Sequence, residues 1–229
     1  MVDPRPGLLA AMRIGVFGTG VVGQTIATRL VELGHDVVLG ARDAANEKAA
    51  AWVAATGERA GHGTFADAAA HGALLVNATA GLGTLAAVAS ADGADLEGKV
   101  LIDVSNALDH SAGFPPRLST APGDSIGEQL QRAHPTVHVV KSLNTMTAAV
   151  MMEPARAGEG HEVFVAGDHD GAKTEVSALL QEIGWPESHI RDVGGIEAAR
   201  GLEAYVLFWV ALRMALGTSE FNIAITQQS

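Results

Sequence analysis

The residues Gly18-Thr19-Gly20-Val21-Val22-Gly23 read G-x-G-x-x-G. They follow the short apolar run Arg13–Phe17 and open the segment Val21–Leu33. There, Val22, Ile26, Leu30 and Leu33 recur every three or four residues until Gly34. The pattern alone is weak, but a strand before it and a helix after it are the setting in which it has a physical meaning. Gly18 makes a tight turn, Gly20 lets the backbone approach a pyrophosphate, and Gly23 admits close packing of helix on strand. Free amides and the positive helix dipole then hold phosphate without any basic side chain. The chemistry implied is dinucleotide binding.

The end of the second strand decides which dinucleotide is expected. NAD-type sites place a carboxylate there, on the ribose hydroxyls. This chain reads Leu39-Gly40-Ala41-Arg42, with no carboxylate at the strand end. Arg42, one step on, offers a guanidinium to a 2′-phosphate, and Lys48 lies close in sequence. NADP(H) is the expected cofactor, with Asp43 as the one contrary charge.

Further polar residues gather where later strands end. They are Asn77-Ala78-Thr79, in a second glycine-rich loop up to Gly83, then Asp103-Val104-Ser105-Asn106, then Lys141 to Thr145. Asn, Ser and Thr can hold a carboxamide or a ribose hydroxyl without charge, though they also cap turns and helix starts. Lys141 and Asn144 have the spacing of the catalytic pair of β-hydroxyacid dehydrogenases. In this chain, however, Lys141 follows the strand-like run Thr136–Val140 instead of sitting on a helix. No catalytic side chain is therefore assigned. His134 and His138 are four apart, but Pro135 and the β-type run oppose a helix, so no metal site is expected. Cysteine is absent, which excludes disulfides, thiolate metal sites and a Cys nucleophile.

These residues need elements to position them. Short apolar runs at Arg13–Phe17, Asp36–Leu39, Ala73–Asn77, Lys99–Asp103, Thr136–Val140 and Glu162–Ala166 read as buried strands. Helical segments are expected at Val21–Leu33, Glu47–Ala55, Thr84–Ser90, Ser125–Ala133 and Gly171–Ile183. The alternation predicts an α/β fold, a Rossmann-type doubly wound, mainly parallel sheet with a small C-terminal helical extension. A soft boundary in the loop Arg156–His161 divides it into a dinucleotide-binding domain, 12–158, and an extension, 159–229. Gly201–Gly217 is the most apolar stretch and reads as a buried helix. Glu203 and Arg213 interrupt it, and its uncharged run is far short of a membrane span. Met1–Ala11 reads as a disordered leader or an upstream start. With no export signal or span, the cytoplasm is the expected compartment. Lys+Arg total 15 against Asp+Glu 26, a net charge of −11, and aromatics are 4%. That balance opposes nucleic acid, which needs basic patches and stacking surfaces. The partners expected are small-molecule coenzymes.

Taken together, GTGVVGQTIATRLVELGHDVVLGARD, VNAT, IDVSN, VVKSLNTM and FVAGDHD resemble the family of F420-dependent NADP reductases. The resemblance runs from Arg13 to about Ile225. It implies a hydride exchanged between NADP(H) and coenzyme F420, an 8-hydroxy-5-deazaflavin. By the same likeness Thr19, Gly20, Val21, Val22, Arg42, Asn77, Ala78, Thr79 and Asn106 contact NADP. Asn144, Thr145 and the turn at Gly217 border the deazaflavin pocket. Ala41 departs from the family, which often has a hydroxyl there for the 2′-phosphate, so some NADH tolerance is expected. Such a transfer needs stacked rings and no essential acid or base. Two other readings keep the NADPH site: a flavin or metal reductase, like the cytosolic domains of membrane metalloreductases, and a non-catalytic redox sensor. Val206, Phe208, Trp209, Val210 and Leu212 are expected in the core or in a homodimer interface on the C-terminal helix.

Overall fold

The computed structural model describes residues 9–91 and 93–227. Most of the expected leader, Met1 to Leu8, lies outside the described residues. The chain begins with β1 (Arg13–Phe17), α1 (Val21–Glu32), β2 (Asp36–Ala41), α2 (Glu47–Thr56), β3 (Ala60–Thr64) and α3 (Phe65–His71). Then come β4 (Leu74–Asn77), α4 (Gly81–Ala89), the single turn α5 (Gly93–Leu96) and β5 (Val100–Asp103). A two-stranded ribbon, β6 (Leu108–Asp109) with β7 (Arg117–Leu118), precedes α6 (Ile126–Ala133) and β8 (His138–Ser142). The chain continues through α7 (Ala148–Met152), β9 (Val163–Ala166), α8 (Asp170–Ile183), β10 (Ile190–Asp192) and α9 (Ala199–Leu216).

Eight strands form one sheet in the order β10-β9-β8-β5-β4-β1-β2-β3. The chain order reverses between β1 and β4, and that switch point is where open α/β sheets bind ligands. All neighbouring strands pair in parallel except β8 with β9. Between them stand only the five-residue α7 and a single 3-10 turn at Pro154–Ala157, and the chain enters β9 from the end at which it left β8. The fourteen residues of α8 do complete a return, and β10 runs parallel to β9.

Alternate strand residues face opposite layers. Ile14, Val16, Leu74, Val76, Val100 and Ile102 pack with α1, α7 and α8 on one face. Phe17, Leu75, Leu101 and Val139 pack with α3, α4 and α6 on the other. Small residues bring the second layer close. A Cβ at Gly15 would stand 2.2 Å from the Ala68 carbonyl oxygen, so α3 lies directly on β1.

β3 and α3 lie outside the strands and helices expected from the sequence, because Ala60–Thr64 is glycine-rich and Phe65–His71 spans two turns. A local signal was nonetheless present. Thr64 and Asp67 form a reciprocal capping box. The helix expected to be buried over Gly201–Gly217 has an exposed face. Only Ala199, Glu203, Val206 and Val210 are buried, while Phe208 is 59% and Met214 66% exposed. Apolar content does not reveal whether a helix has one covering layer or two, and here it has one.

A substitution separates close packing from glycine's backbone freedom. Gly15→Ala is expected to cost about 1–3 kcal/mol or more, as overpacked cores do. Gly201→Ala, in α9 with nothing within 4 Å of the added carbon, is expected to be neutral or to stabilise by up to about 1 kcal/mol. Urea unfolding of the two variants against wild type measures both.

Candidate functional site

The glycine loop sits at the switch point, between β1 and α1. Gly18 has φ +115, and a Cβ there would lie 2.7 Å from the Ala78 carbonyl oxygen. A Cβ at Gly23 would lie 2.0 Å from the Gly18 carbonyl oxygen. Both positions require glycine for the protein's own packing. Gly20 differs, because nothing lies within 4 Å of a Cβ built on it. It is the N-cap of α1, in extended conformation, with no side-chain cap and no acidic residue in the first turn. The helix thus begins with side-chain-free amides and open space above them, the arrangement that receives a phosphate. The Gln24 side chain donates to the Thr19 carbonyl oxygen at 2.9 Å and holds the loop in place.

A groove crosses the loop in two halves that share Gly20, Ala78, Thr79 and Ala80. One half, about 820 Å³, is walled by Gly18, Thr19, Ala41, Arg42, Asp43, Asn46 and Phe65. The other, about 670 Å³, is walled by Val21, Val22, Val104, Ser105, Asn106, Met146 and Met151. Arg42 lines the first half with its side chain exposed, and Ala41 beside it supplies no donor. Lys48 stands exposed on α2 and does not line the groove. Asn46 does line it, unforeseen from the sequence. Its Oδ1 accepts from the Ala49 amide at 3.0 Å as the N-cap of α2. An Asn before an Ala-rich helical run was the available signal.

Several residues expected to touch ligand are hydrogen-bonded within the protein. Asn77 is fully buried. Its Nδ2 donates to Asp103 Oδ1 at 2.7 Å, and its Oδ1 accepts from the Thr79 hydroxyl at 2.7 Å. Asn106 lines the groove while its amide pairs reciprocally with Asn144, at 2.8 and 2.9 Å. Asn144 and Thr145 are 2% and 3% exposed and line neither half. Asn144 follows Leu143, whose φ of 64 closes a tight turn in which the Asn144 amide donates to the Ser142 carbonyl oxygen at 2.8 Å. Gly217 ends α9 with φ 67 and lines neither half.

Beneath the second half lies a polar ladder. Asn77, Asp103 and Lys141 are register partners at the carboxyl ends of β4, β5 and β8. Lys141 is wholly buried and donates to Asp103 Oδ2 at 2.8 Å, to the Ser105 carbonyl oxygen, and to Glu203 Oε1 at 2.8 Å. Glu203, from α9, also accepts from the Ile126 and Gly127 amides at 3.0 and 3.1 Å. Burial alone would push the ammonium down, but the carboxylates of Asp103 and Glu203 outweigh it and hold Lys141 above the usual lysine range. The lysine stays charged, and its three N–H groups meet three acceptors. The sequence shows Glu203 only as an interruption of the apolar run Gly201–Gly217, because no local pattern ties it to Lys141.

A doubly wound sheet with a glycine loop at its switch point and a two-part groove defines a dinucleotide-binding α/β protein. A family model for coenzyme F420-dependent NADP oxidoreductases matches residues 13–107. The crystal structure of a candidate F420-dependent NADP reductase from Arthrobacter sp. FB24 is 42% identical. It superposes with a TM-score of 0.89 over 95% of this chain and 100% of that one. The chain belongs to the F420-dependent NADP oxidoreductase family. Metalloreductase STEAP3 of Rattus norvegicus is 30% identical over 86% of this chain, which spans 37% of that protein's length. A reductive aminase from Aspergillus terreus, 17% identical over 91% of this chain and 62% of its own, shares the fold with a TM-score of 0.63. Among the described residues no helix is long and apolar enough to cross a membrane, and no three metal-ligating side chains come together.

The open space at Gly20 makes a discriminating prediction. Gly20→Val is expected to keep the wild-type melting temperature within about 3 °C, of the order of a 1 kcal/mol change, while NADPH binding is lost. Gly23→Ala, which drives a carbon into the Gly18 carbonyl, is expected to lower the melting temperature itself. Thermal unfolding beside NADPH titration checks the pair.

Proposed function

We propose that this protein passes a hydride between NADP(H) and coenzyme F420. One observation carries the reading. Among the described residues, none that lines the second half of the groove has a titratable side chain. Its walls are aliphatic and thioether groups with a few neutral hydroxyls and amides, and it runs directly on from the half that suits a dinucleotide. Hydride transfer between stacked rings needs proximity, a dry pocket and correct orientation, and no acid or base. The family membership and the 42% identical relative support the same reading.

Each part of the chain then has a role. The first-turn amides of α1 hold the pyrophosphate, and the Arg42 guanidinium holds the 2′-phosphate. Asn77 acts from below, by orienting Thr79. Val22, Val104, Met146 and Met151 exclude water around the reacting rings. NADP(H) and F420 supply the hydride chemistry when bound. In the division at 12–158 and 159–229, the second part borders the deazaflavin pocket. In support, Asn222 Nδ2 lies 3.9 Å from the sulfur of Met146, a wall residue of the groove. The same proposal makes the protein a homodimer joined through α9, whose Leu207, Phe208, Met214 and Leu216 stand exposed, and places it in the cytoplasm. The likeness to a metalloreductase supports a second reading, in which the same NADPH site reduces a flavin.

Mixing the purified protein with NADPH and F420 is expected to bleach the deazaflavin absorbance. Reduction of a flavin with F420 untouched would replace the first reading by the second. Arg42→Ala is expected to raise KM for NADPH roughly ten- to a hundredfold, the worth of one charge-assisted contact, and to leave KM for NADH nearly unchanged. Equal effects on both coenzymes would remove the 2′-phosphate role.

A further inference from the structure

Ser105 is the residue on which the ladder and the groove meet. Its amide donates to Asp103 Oδ1 at 3.1 Å, and its carbonyl oxygen accepts from the Lys141 ammonium. The Ser105 backbone is therefore held at its N–H and at its carbonyl by one buried ion pair. Its hydroxyl is the remaining polar group. That residue is 3% exposed, lines the second half of the groove, and its Oγ has no hydrogen-bond partner among the described residues. A buried hydroxyl without a partner costs about 1–3 kcal/mol, which ordinary packing does not leave unmet without reason.

We propose that Lys141 is a positioning residue, which aims the Ser105 hydroxyl at the carboxamide of a bound nicotinamide. The inference rests on the NADP(H) reading of the groove and adds a group that sets the ring's orientation. A hydroxyl can donate to a carboxamide oxygen and accept from its NH₂, so one atom suffices to select a rotation of the ring. Lys141 itself touches no ligand. All three of its N–H groups are engaged, and it is fully buried. Its reach to Glu203 braces the same stretch of backbone against α9, and Glu203 is anchored in turn on the first amides of α6. The ring's seat is thus set by contacts that lie behind the groove wall.

The test uses the intact protein with NADPH and three variants: Ser105→Ala, Lys141→Gln and the two combined. Two readings are taken, the Kd for NADPH and the nicotinamide fluorescence of the bound coenzyme. Ser105→Ala removes a group with no internal partner, so its fold is kept. Its Kd is expected to stay within about twofold, because affinity resides in the phosphates. Its bound-state fluorescence is expected to fall toward that of free NADPH, and hydride transfer to the working acceptor to drop about tenfold or more. Lys141→Gln is expected to do the same, and the double variant to do no more than Lys141→Gln alone, since two groups on one path are not additive. Lys141→Gln lowers the melting temperature whether the lysine positions Ser105 or only holds the fold, so additivity decides: a merely structural lysine would add its effect to that of Ser105→Ala, and additive losses overturn the proposal. So does a Ser105→Ala protein that matches wild type in fluorescence and rate, a result that decides the matter even if Lys141→Gln does not fold. Failure of F420 reduction in wild type would sink the acceptor reading alone, because the fluorescence arms need only NADPH.

Discussion

The fold around the groove depends on one buried cation. Lys141 carries its charge while fully buried, and two carboxylates, Asp103 and Glu203, are buried with it. One positive and two negative groups leave a surplus of negative charge, which the first amides of α6 meet through Glu203. Removing one partner from such a cluster costs about 3–5 kcal/mol, because the others remain buried and uncompensated. The cluster is therefore an exacting fastening more than a source of net stability. It requires β4, β5 and β8 in one register, α6 beginning at Ile126, and α9 lying with Glu203 inward.

The groove inherits its stiffness from that requirement. Thr79, at the junction of the two halves, hangs from Asn77, and Asn77 hangs from Asp103. The Ser105 peptide is clasped by Asp103 and Lys141, and Asn106 is locked to Asn144. Side chains positioned by packing and by a second layer of hydrogen bonds keep a reacting pair within the narrow range that transfer requires. The polar groups at the strand ends thus divide their labour. Some face the groove, and more of them hold those that do.

Charge and chemistry are separated in the same way. The net charge of −11 sits on a protein whose expected ligands are anions. Backbone amides at Gly20 and the single Arg42 make that possible, since a helix start binds phosphate irrespective of overall charge. The scarcity of aromatic residues fits a sheet covered by Ala- and Gly-rich helices at close range, as Gly15 beneath α3 shows. The exposed aromatic and apolar residues of α9 stand apart from that rule.

Much of this was determined by the sequence alone. The glycine loop, the helix it opens, the missing carboxylate after Leu39 and the run of buried strands are short-range signals. Turn chemistry and side-chain periodicity act over a few residues and can be read without a fold. Only the tertiary structure decided that Asn77, Asp103 and Lys141 share a register, 26 and 38 residues apart, and that Glu203 completes them. It also turned β9 antiparallel, brought Asn46 into the groove, left Lys48 outside it, and gave α9 an exposed face. Each of these depends on which surfaces meet after the chain has closed, and neither spacing nor composition encodes that locally.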